Sequence, residues 1–284
     1  MKHKYLIYSL PAVFFWASSS VIVRLTFGNI TIMHLSAVRS WLAALTLLVF
    51  CLIKKIPPPK KRDIPLFILS GVMGFAMFSI CFNTGLMYLT AATGNVVMAV
   101  VPVITALIAQ FLLKERIRPL GWFFICVSFS GILVLILWNG VLSINSGVFW
   151  ILAAAFLNSI YSLLQRHLVR SYSALQSCAF SLVAGALAFT PFMPGAVKEL
   201  AVITPMVAIA IAYLGIFGGG IGYLLWSQGL ALVKRTADAT NLLYLPPFIA
   251  SILAFAMFRE LPDWGTVIGG LIILFGLWMY QKKA

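Results

Sequence analysis

The chain has 284 residues, enough for one large soluble domain or two smaller ones, but 62% are hydrophobic and only 9% charged. A soluble domain carries about a quarter charged residues to cover its surface, so both soluble arrangements are excluded. A net charge of +14 spread over a soluble surface would suit a nucleic-acid binder. Here the bases flank long uncharged runs, where the positive-inside rule and anionic lipid account for them, so lipid and not nucleic acid is the expected partner.

In chain order, residues 5–23, 64–113, 119–165, 171–197, 200–233, 239–258 and 264–281 contain no Lys, Arg, Asp or Glu. A membrane crossing takes about 20 helical residues, and several of these runs suffice for two. Turn-forming residues divide 64–113 near Leu89–Thr93 and 119–165 at Asn139–Gly147. Spans are expected at about 5–24, 32–53, 64–88, 93–113, 119–138, 147–166, 174–192, 205–232, 240–258 and 264–281. The first follows Lys2 and Lys4 directly and lacks a small-residue cleavage site, so no cleavable signal peptide is expected. Pro57-Pro58-Pro59 reads as a stiff linker. Pro102, Pro246 and Pro247 interrupt spans 4 and 9 and are the expected bending points. Cys51, Cys81, Cys126 and Cys178 stand alone inside apolar runs with no nearby His, which suits small buried hydrophobes and neither disulfides nor a metal site.

The basic residues orient the spans. With a cytoplasmic N-terminus, Lys2, Lys4, Lys54, Lys55, Lys60, Lys61, Arg62, Lys114, Arg116, Arg118, Arg166, Arg170, Lys234, Arg235, Lys282 and Lys283 all lie inside. Only Arg24, Lys198 and Arg259 fall outside, and Arg39 lies within a span. Nine or eleven spans would put a basic cluster on the wrong side. The expected fold is therefore an all-α membrane protein of ten transmembrane helices with both termini cytoplasmic, multi-pass in a bacterial-type cytoplasmic membrane.

The chain repeats itself. Gly71, Gly74 and Gly85 fall on Gly215, Gly218 and Gly229 at a shift of 144, and Arg24 falls on Arg166 at a shift of 142. With one residue inserted, Pro102 meets Pro247 and Lys114-Glu115 meets Arg259-Glu260. Two five-span halves follow, 1–143 and 144–284. Five is odd, so the second must enter the membrane from the opposite side. Inverted repeats of this kind are characteristic of secondary transporters; a duplicated scaffold with another role is the alternative.

Span 1 carries Phe15-Trp16-Ala17-Ser18 running to Arg24, and span 2 carries Ala37-Val38-Arg39-Ser40-Trp41-Leu42-Ala43-Ala44. Span 4 adds Pro102 and Leu112-Leu113-Lys114-Glu115-Arg116, followed by Gly121 and Gly131, and the second half repeats Pro247, Phe258-Arg259-Glu260, Gly265 and Gly276. In these features the chain resembles the EamA type of ten-span carrier in the drug/metabolite transporter superfamily. The resemblance implies a carrier fold with a central cavity and export or exchange of small metabolites, often amino acids. The halves differ inside: Ser181 stands where the first half has Arg39, and Asn158 where it has Trp16. An asymmetric substrate would require such a difference.

Polar groups within spans point to the bundle interior. Arg39 lies roughly 10 Å into span 2 at about 1.5 Å per residue. It reads either as an anion contact or as a structural arginine on helix-end carbonyls of a neighbouring span. Arg24 reads as a snorkelling helix end. No Asp or Glu lies in mid-span, which disfavours proton-coupled export of organic cations. The remaining candidates for substrate binding are neutral: Asn158, Tyr161 and Gln165 on one face of span 6, Asn241, Tyr244 and Phe248 on span 9, and Ser79 with Asn83 on span 3. Span 8 adds Tyr223, Ser227 and Gln228, span 1 adds Trp16, Ser19 and Ser20, and span 4 adds Asn95. Amides, hydroxyls and aromatic walls suit a small polar metabolite, although each residue could equally make an interhelical hydrogen bond. Lys114-Glu115 and Arg259-Glu260 read as helix-end charges or gate latches.

The expected function is alternating-access export of a small neutral or zwitterionic metabolite such as an amino acid, by a monomer or weak homodimer without a cofactor. Nucleotide-sugar or organic-phosphate exchange is the alternative within transport, and would want several bases facing the cavity. A membrane-embedded enzyme is the contrasting class; its paired carboxylates or Ser/His dyad are not in the spans.

Overall fold

Helices begin where a hydroxyl precedes an apolar run. Thr31, Thr90, Ser173 and Thr204 each accept a hydrogen bond from the N–H three residues on, at 3.2–3.4 Å. Each satisfies one of the backbone donors that a helix start leaves unpaired. A computed structural model describes residues 4–101, 103–105, 107–108, 119–138, 146–232, 242 and 245–283, and among them there is no β-strand.

The first half contains α1 (Lys4–Ile22), extended by a 3₁₀ turn over Val23–Thr26, then α2 (Ile32–Ile53) and α3 (Ile64–Gly71). A π-helical stretch over Val72–Met77 leads into α4 (Phe78–Tyr88), followed by α5 (Ala91–Met98) and α6 (Pro119–Leu137). The second half contains α7 (Ser146–Leu168), α8 (Ala174–Ala188), α9 (Met193–Leu200) and α10 (Pro205–Tyr213). A second π-helical stretch, Leu214–Ile221, leads into α11 (Gly222–Leu232), then α12 (Pro246–Phe258) and α13 (Trp264–Lys283).

Large apolar side chains cover the outside, among them Leu52 (77% exposed), Ile209 (71%) and Ile252 (68%). Water would not tolerate that surface, whereas lipid does. The protein is an all-α, multi-pass membrane bundle. Among the described residues, 5–26, 32–53, 61–88, 146–165 and 205–229 are helices long and apolar enough to cross a membrane. The pair Ala174–Ala188 and Thr190–Leu200 makes a sixth span if taken together, and Ala91–Thr105, Pro119–Val134, Pro246–Phe258 and Trp264–Tyr280 are shorter apolar helices.

Several expectations need correction. The seventh span, expected over 174–192, is α-helical only to Ala188, and the helical segment that follows, Thr190–Leu200, is bent from it by 49°. Pro191 cannot supply the N–H that would continue α8. Pro246 and Pro247 do not interrupt a helix; they occupy its first turn, where a missing N–H costs nothing. Pro102 lies outside the described residues, but the chain leaves regular α-helix at Ala99–Val100, just before it. The two π-helical stretches were not foreseen. They fall at matching points of the repeat, since Val72–Met77 shifted by 144 gives 216–221.

The halves contact each other reciprocally. A methyl group added to Gly71 would lie 2.3 Å from the Ser181 carbonyl, and one on Gly215 would lie 3.2 Å from the Arg39 carbonyl. Arg39 and Ser181 are repeat mates, as are Gly71 and Gly215. In the same way Gly74 abuts Tyr161 while Gly218 abuts Ser19, and Gly85 abuts Ile151 while Gly229 abuts Ser9. Gly131 abuts Ile273 and the Gly269 carbonyl, while Gly276 abuts Ser128 and the Phe124 carbonyl. Each glycine lets a helix of one half approach the other closely. If residue i touches the mate of j, the mate of i touches j, which is the contact pattern of two-fold related halves. It pairs α1 with α11, α7 with α4, and α6 with α13.

Candidate functional site

Helix α2 presents Ser36 and Arg39 one turn apart, and α4 presents Ser79 and Asn83 at i, i+4. The four side chains form one network. Arg39 Nη1 donates to Asn83 Oδ1 at 3.0 Å, and Asn83 Nδ2 donates to Ser36 Oγ and Ser79 Oγ, both at 3.2 Å. Ser79 Oγ donates to Ser36 Oγ at 3.2 Å. Asn83 is fully buried, so its amide must be satisfied internally, and it is. Arg39 therefore bonds a neutral amide, not the helix-end carbonyls that a purely structural arginine was expected to take. Among the described residues no carboxylate lies within 4 Å of it.

Beside this network stands an aromatic cluster. The Trp16 ring lies 5.1 Å from Tyr223 and 5.2 Å from Trp226; Phe75 lies 4.9 Å from Tyr161 and 5.0 Å from Tyr223. Cys178 Sγ lies 3.1 Å from Ser227 Oγ and 3.8 Å from Tyr161 Oη. Phe75 stands one turn before Ser79 on the same continuous helix, so the two clusters adjoin. They are also counterparts: Ser36, Ser79 and Asn83 fall on Cys178, Tyr223 and Ser227 in the repeat. The Ser36–Asn83 bond in one half corresponds to the Cys178–Ser227 bond in the other. The departure is at Arg39, whose mate Ser181 hydrogen-bonds Ser70 at 3.0 Å and accepts from Gln165 at 3.1 Å.

The sequence-derived candidates thus separate. Trp16, Arg39, Ser79, Asn83, Tyr161, Tyr223 and Ser227 come together; Asn158 and Gln228 are half-buried on the adjoining helices α7 and α11. Ser19 is turned away, its hydroxyl donating to the Phe15 carbonyl at 2.6 Å against Gly218. Asn95 is engaged by Ser20 Oγ at 2.6 Å and the Ala91 carbonyl at 2.8 Å, as an interhelical tie. Gln165 belongs to the Ser70–Ser181 group. Asn241 and Tyr244 lie outside the described residues. Ser36, Phe75, Cys178 and Trp226 were missed. Ser36 was legible, lying one turn before Arg39, and Cys178 was legible as its repeat mate; Phe75 and Trp226 looked like ordinary apolar residues. The polar groups reach each other more than a shared void. A cleft of about 310 Å³ lies elsewhere, between Leu66, Ile108, Ile160, Leu163, Leu164 and His167, and is apolar.

At the Arg24 end of α1 the halves are joined by charge. Arg24 Nη1 pairs with Glu260 Oε2, and its guanidinium sits 5.6 Å over the Phe258 ring. It is an ion-pair partner, not the free snorkelling helix end expected. Nearby, Glu199 Oε2 lies 2.9 Å from His34 Nδ1 and accepts from the Thr31 N–H at 2.9 Å. Burial alone would push the Glu199 carboxyl up, but the Thr31 and His34 donors hold it below its ordinary value. At the other end Tyr172 donates to Asp63 at 2.5 Å, which raises its phenol, and Gln176 donates to the Pro57 carbonyl at 2.8 Å. Among the described residues no cluster of His, Cys, Asp and Glu could hold a metal ion.

Comparison with known proteins agrees with this architecture. The model of the EamA-like transporter family matches twice, over residues 3–137 and 145–280. The uncharacterized transporter YdfC of Bacillus subtilis (strain 168) is 27% identical over 92% of this chain and 86% of its own. The "probable terminal-alkyne amino-acid exporter" of Streptantibioticus cattleyicolor is 26% identical over 94% and 90%. The S-adenosylmethionine uptake transporter of Rickettsia prowazekii is 28% identical over 67% of this chain and 63% of its own. A solved crystal structure superposes with a TM-score of 0.66 over 99% of this chain and 98% of that one, at 18% identity, a likeness of fold. With two matches that together take in nearly all of its length, and with relatives that are transporters and not enzymes, the chain belongs to the EamA-like transporter family.

Proposed function

We propose that this transporter carries a small carboxylate-bearing metabolite, neutral or zwitterionic overall and amino-acid-like, outward by alternating access. The observation that carries the reading is Arg39. Its guanidinium has five N–H donors, sits inside the bundle beside an aromatic cluster, and has no carboxylate partner among the described residues. A substrate carboxylate can take the remaining donors in the fork geometry that arginine favours. Trp16, Tyr161, Tyr223 and Trp226 then offer ring faces to an ammonium group or an apolar side chain. Asn83 and Ser79 orient the guanidinium, and Asn158, Ser227 and Gln228 supply neutral hydrogen bonds.

The architecture proposed with it is ten spans in two inverted halves, 1–143 and 144–284, both termini cytoplasmic, working as a monomer or weak homodimer. Counting the bent pair as one span and taking the four shorter apolar helices as spans brings the number to ten. The reciprocal contacts and the basic-residue asymmetry support the inversion. Outward amino-acid transport is also what the name of the Streptantibioticus relative states for that protein.

Counterflow in proteoliposomes against a panel of amino acids, sugar phosphates and organic cations tests the reading. Saturable exchange of a neutral amino acid, abolished in Arg39→Gln with thermal stability retained, is the expected result. Exchange of a permanent cation, or undiminished amino-acid exchange in Arg39→Gln, overturns it. Preference for a sugar phosphate favours the organic-phosphate alternative.

A further inference from the structure

We propose that the Arg24–Glu260 pair is a latch that closes one membrane face and parts when that face opens. It goes beyond the assignment of substrate and rests on the alternating-access reading. The pair joins the end of α1 in one half to the end of α12 in the other, so any separation of the halves at this face must break it. The way Glu260 is presented points to a built contact. Arg259 adopts the left-handed conformation (φ 57°) and its N–H caps the Ala254 and Phe255 carbonyls. The Glu260 N–H reaches back to the Ala254 carbonyl at 3.4 Å, which turns its side chain from the helix axis toward α1. Phe258, two residues before Glu260, supplies the ring beneath the guanidinium.

The energetics suit a contact that forms and breaks. The side chains are 26% and 31% exposed, so water replaces the bond readily, and such a pair shifts an equilibrium without locking it. Two further polar ties join the halves at this face: His34–Glu199, similarly part-exposed at 21% and 27%, and the Thr93–Thr266 hydroxyl bond at 2.7 Å. The buried Asn83 network, by contrast, links α2 to α4 within one half and need not break when the halves part.

The repeat supplies an internal control. Glu260 falls on Glu115 in the repeat, so a substitution there removes a like charge at the repeat-equivalent position of the other half.

The test is a distance measurement on the full-length chain in nanodiscs without substrate, so it is independent of what is carried. Cys126→Ser removes the one exposed thiol, and spin labels go on Asn29→Cys and Leu261→Cys, beside the pair. Arg24→Gln and Glu260→Gln are each expected to raise the longer-distance population at least about twofold, the scale of a part-exposed ion pair. The swap Arg24→Glu with Glu260→Arg is expected to restore the original distribution, which an unfolded variant would not do. Glu115→Gln must not lengthen the distance. Unchanged distances in both single variants, no recovery in the swap, or equal lengthening by Glu115→Gln would overturn the latch while leaving the Arg39 reading to its own transport assay.

Discussion

Gly74→Ala and Gly218→Ala change repeat-equivalent positions, yet the surroundings require unequal results. At Gly74 a methyl group would lie 2.1, 2.4 and 2.8 Å from Tyr161 Cδ2, Cγ and Cβ. Tyr161 is 6% exposed and wedged between Phe75 and Tyr223, and a rotamer change cannot clear the contact to its Cβ. The backbone must shift, at an overpacking cost of about 1–3 kcal/mol. At Gly218 the methyl meets Ser19 Oγ at 2.2 Å, with Ser19 Cβ at 3.3 Å. The hydroxyl can rotate away, giving up its bond to the Phe15 carbonyl, at a cost of about 1 kcal/mol or less. Taking about 2–4 °C per kcal/mol, Gly74→Ala should lower the melting temperature by roughly 2–12 °C and Gly218→Ala by less than about 4 °C. Detergent-solubilised protein followed by fluorescence-detected size exclusion measures both. In a Tyr161→Ser background, which gives Gly74 the neighbour that Gly218 already has, Gly74→Ala should cost no more than Gly218→Ala does. Equal losses for the two glycine variants, or an undiminished loss in the Tyr161→Ser background, would refute the reasoning.

Asn83→Ala removes the acceptor for Arg39 and should cost about 1–3 kcal/mol together with transport, whereas Asn95→Ala should cost only about 0.6 kcal/mol and leave transport intact, by thermal shift and counterflow. Glu199 is held below its ordinary value, so its contribution is present above the unfolded carboxylate range and lost as pH falls through the folded value. The melting-temperature gap between the wild type and Glu199→Gln should therefore close on acidification; a gap that widens toward acid pH would contradict the Thr31 and His34 contacts. Arg259→Gly relieves a left-handed residue and should stabilise the fold by up to about 1 kcal/mol, read as a higher melting temperature.

Residues near one another in the chain already determined a good deal. Long uncharged runs fixed the all-helical membrane class, because a lipid-facing backbone must bond within its own helix. The Gly71/Gly215 and Gly74/Gly218 spacings exposed the duplication, and Ser79 and Asn83 read correctly as one helical face. What a span touches was another matter. Helices apolar all round carry no stripe to mark the inward side, since lipid accepts the same residues as the core. Only the tertiary structure decided that Asn83 meets Arg39 while Asn95 meets Ser20, that Arg24 finds Glu260, and that Phe75 and Trp226 join the aromatic cluster. These contacts join residues far apart in sequence, some within one half and some between the halves, and depend on how the helices pack against one another, geometry that no local pattern encodes.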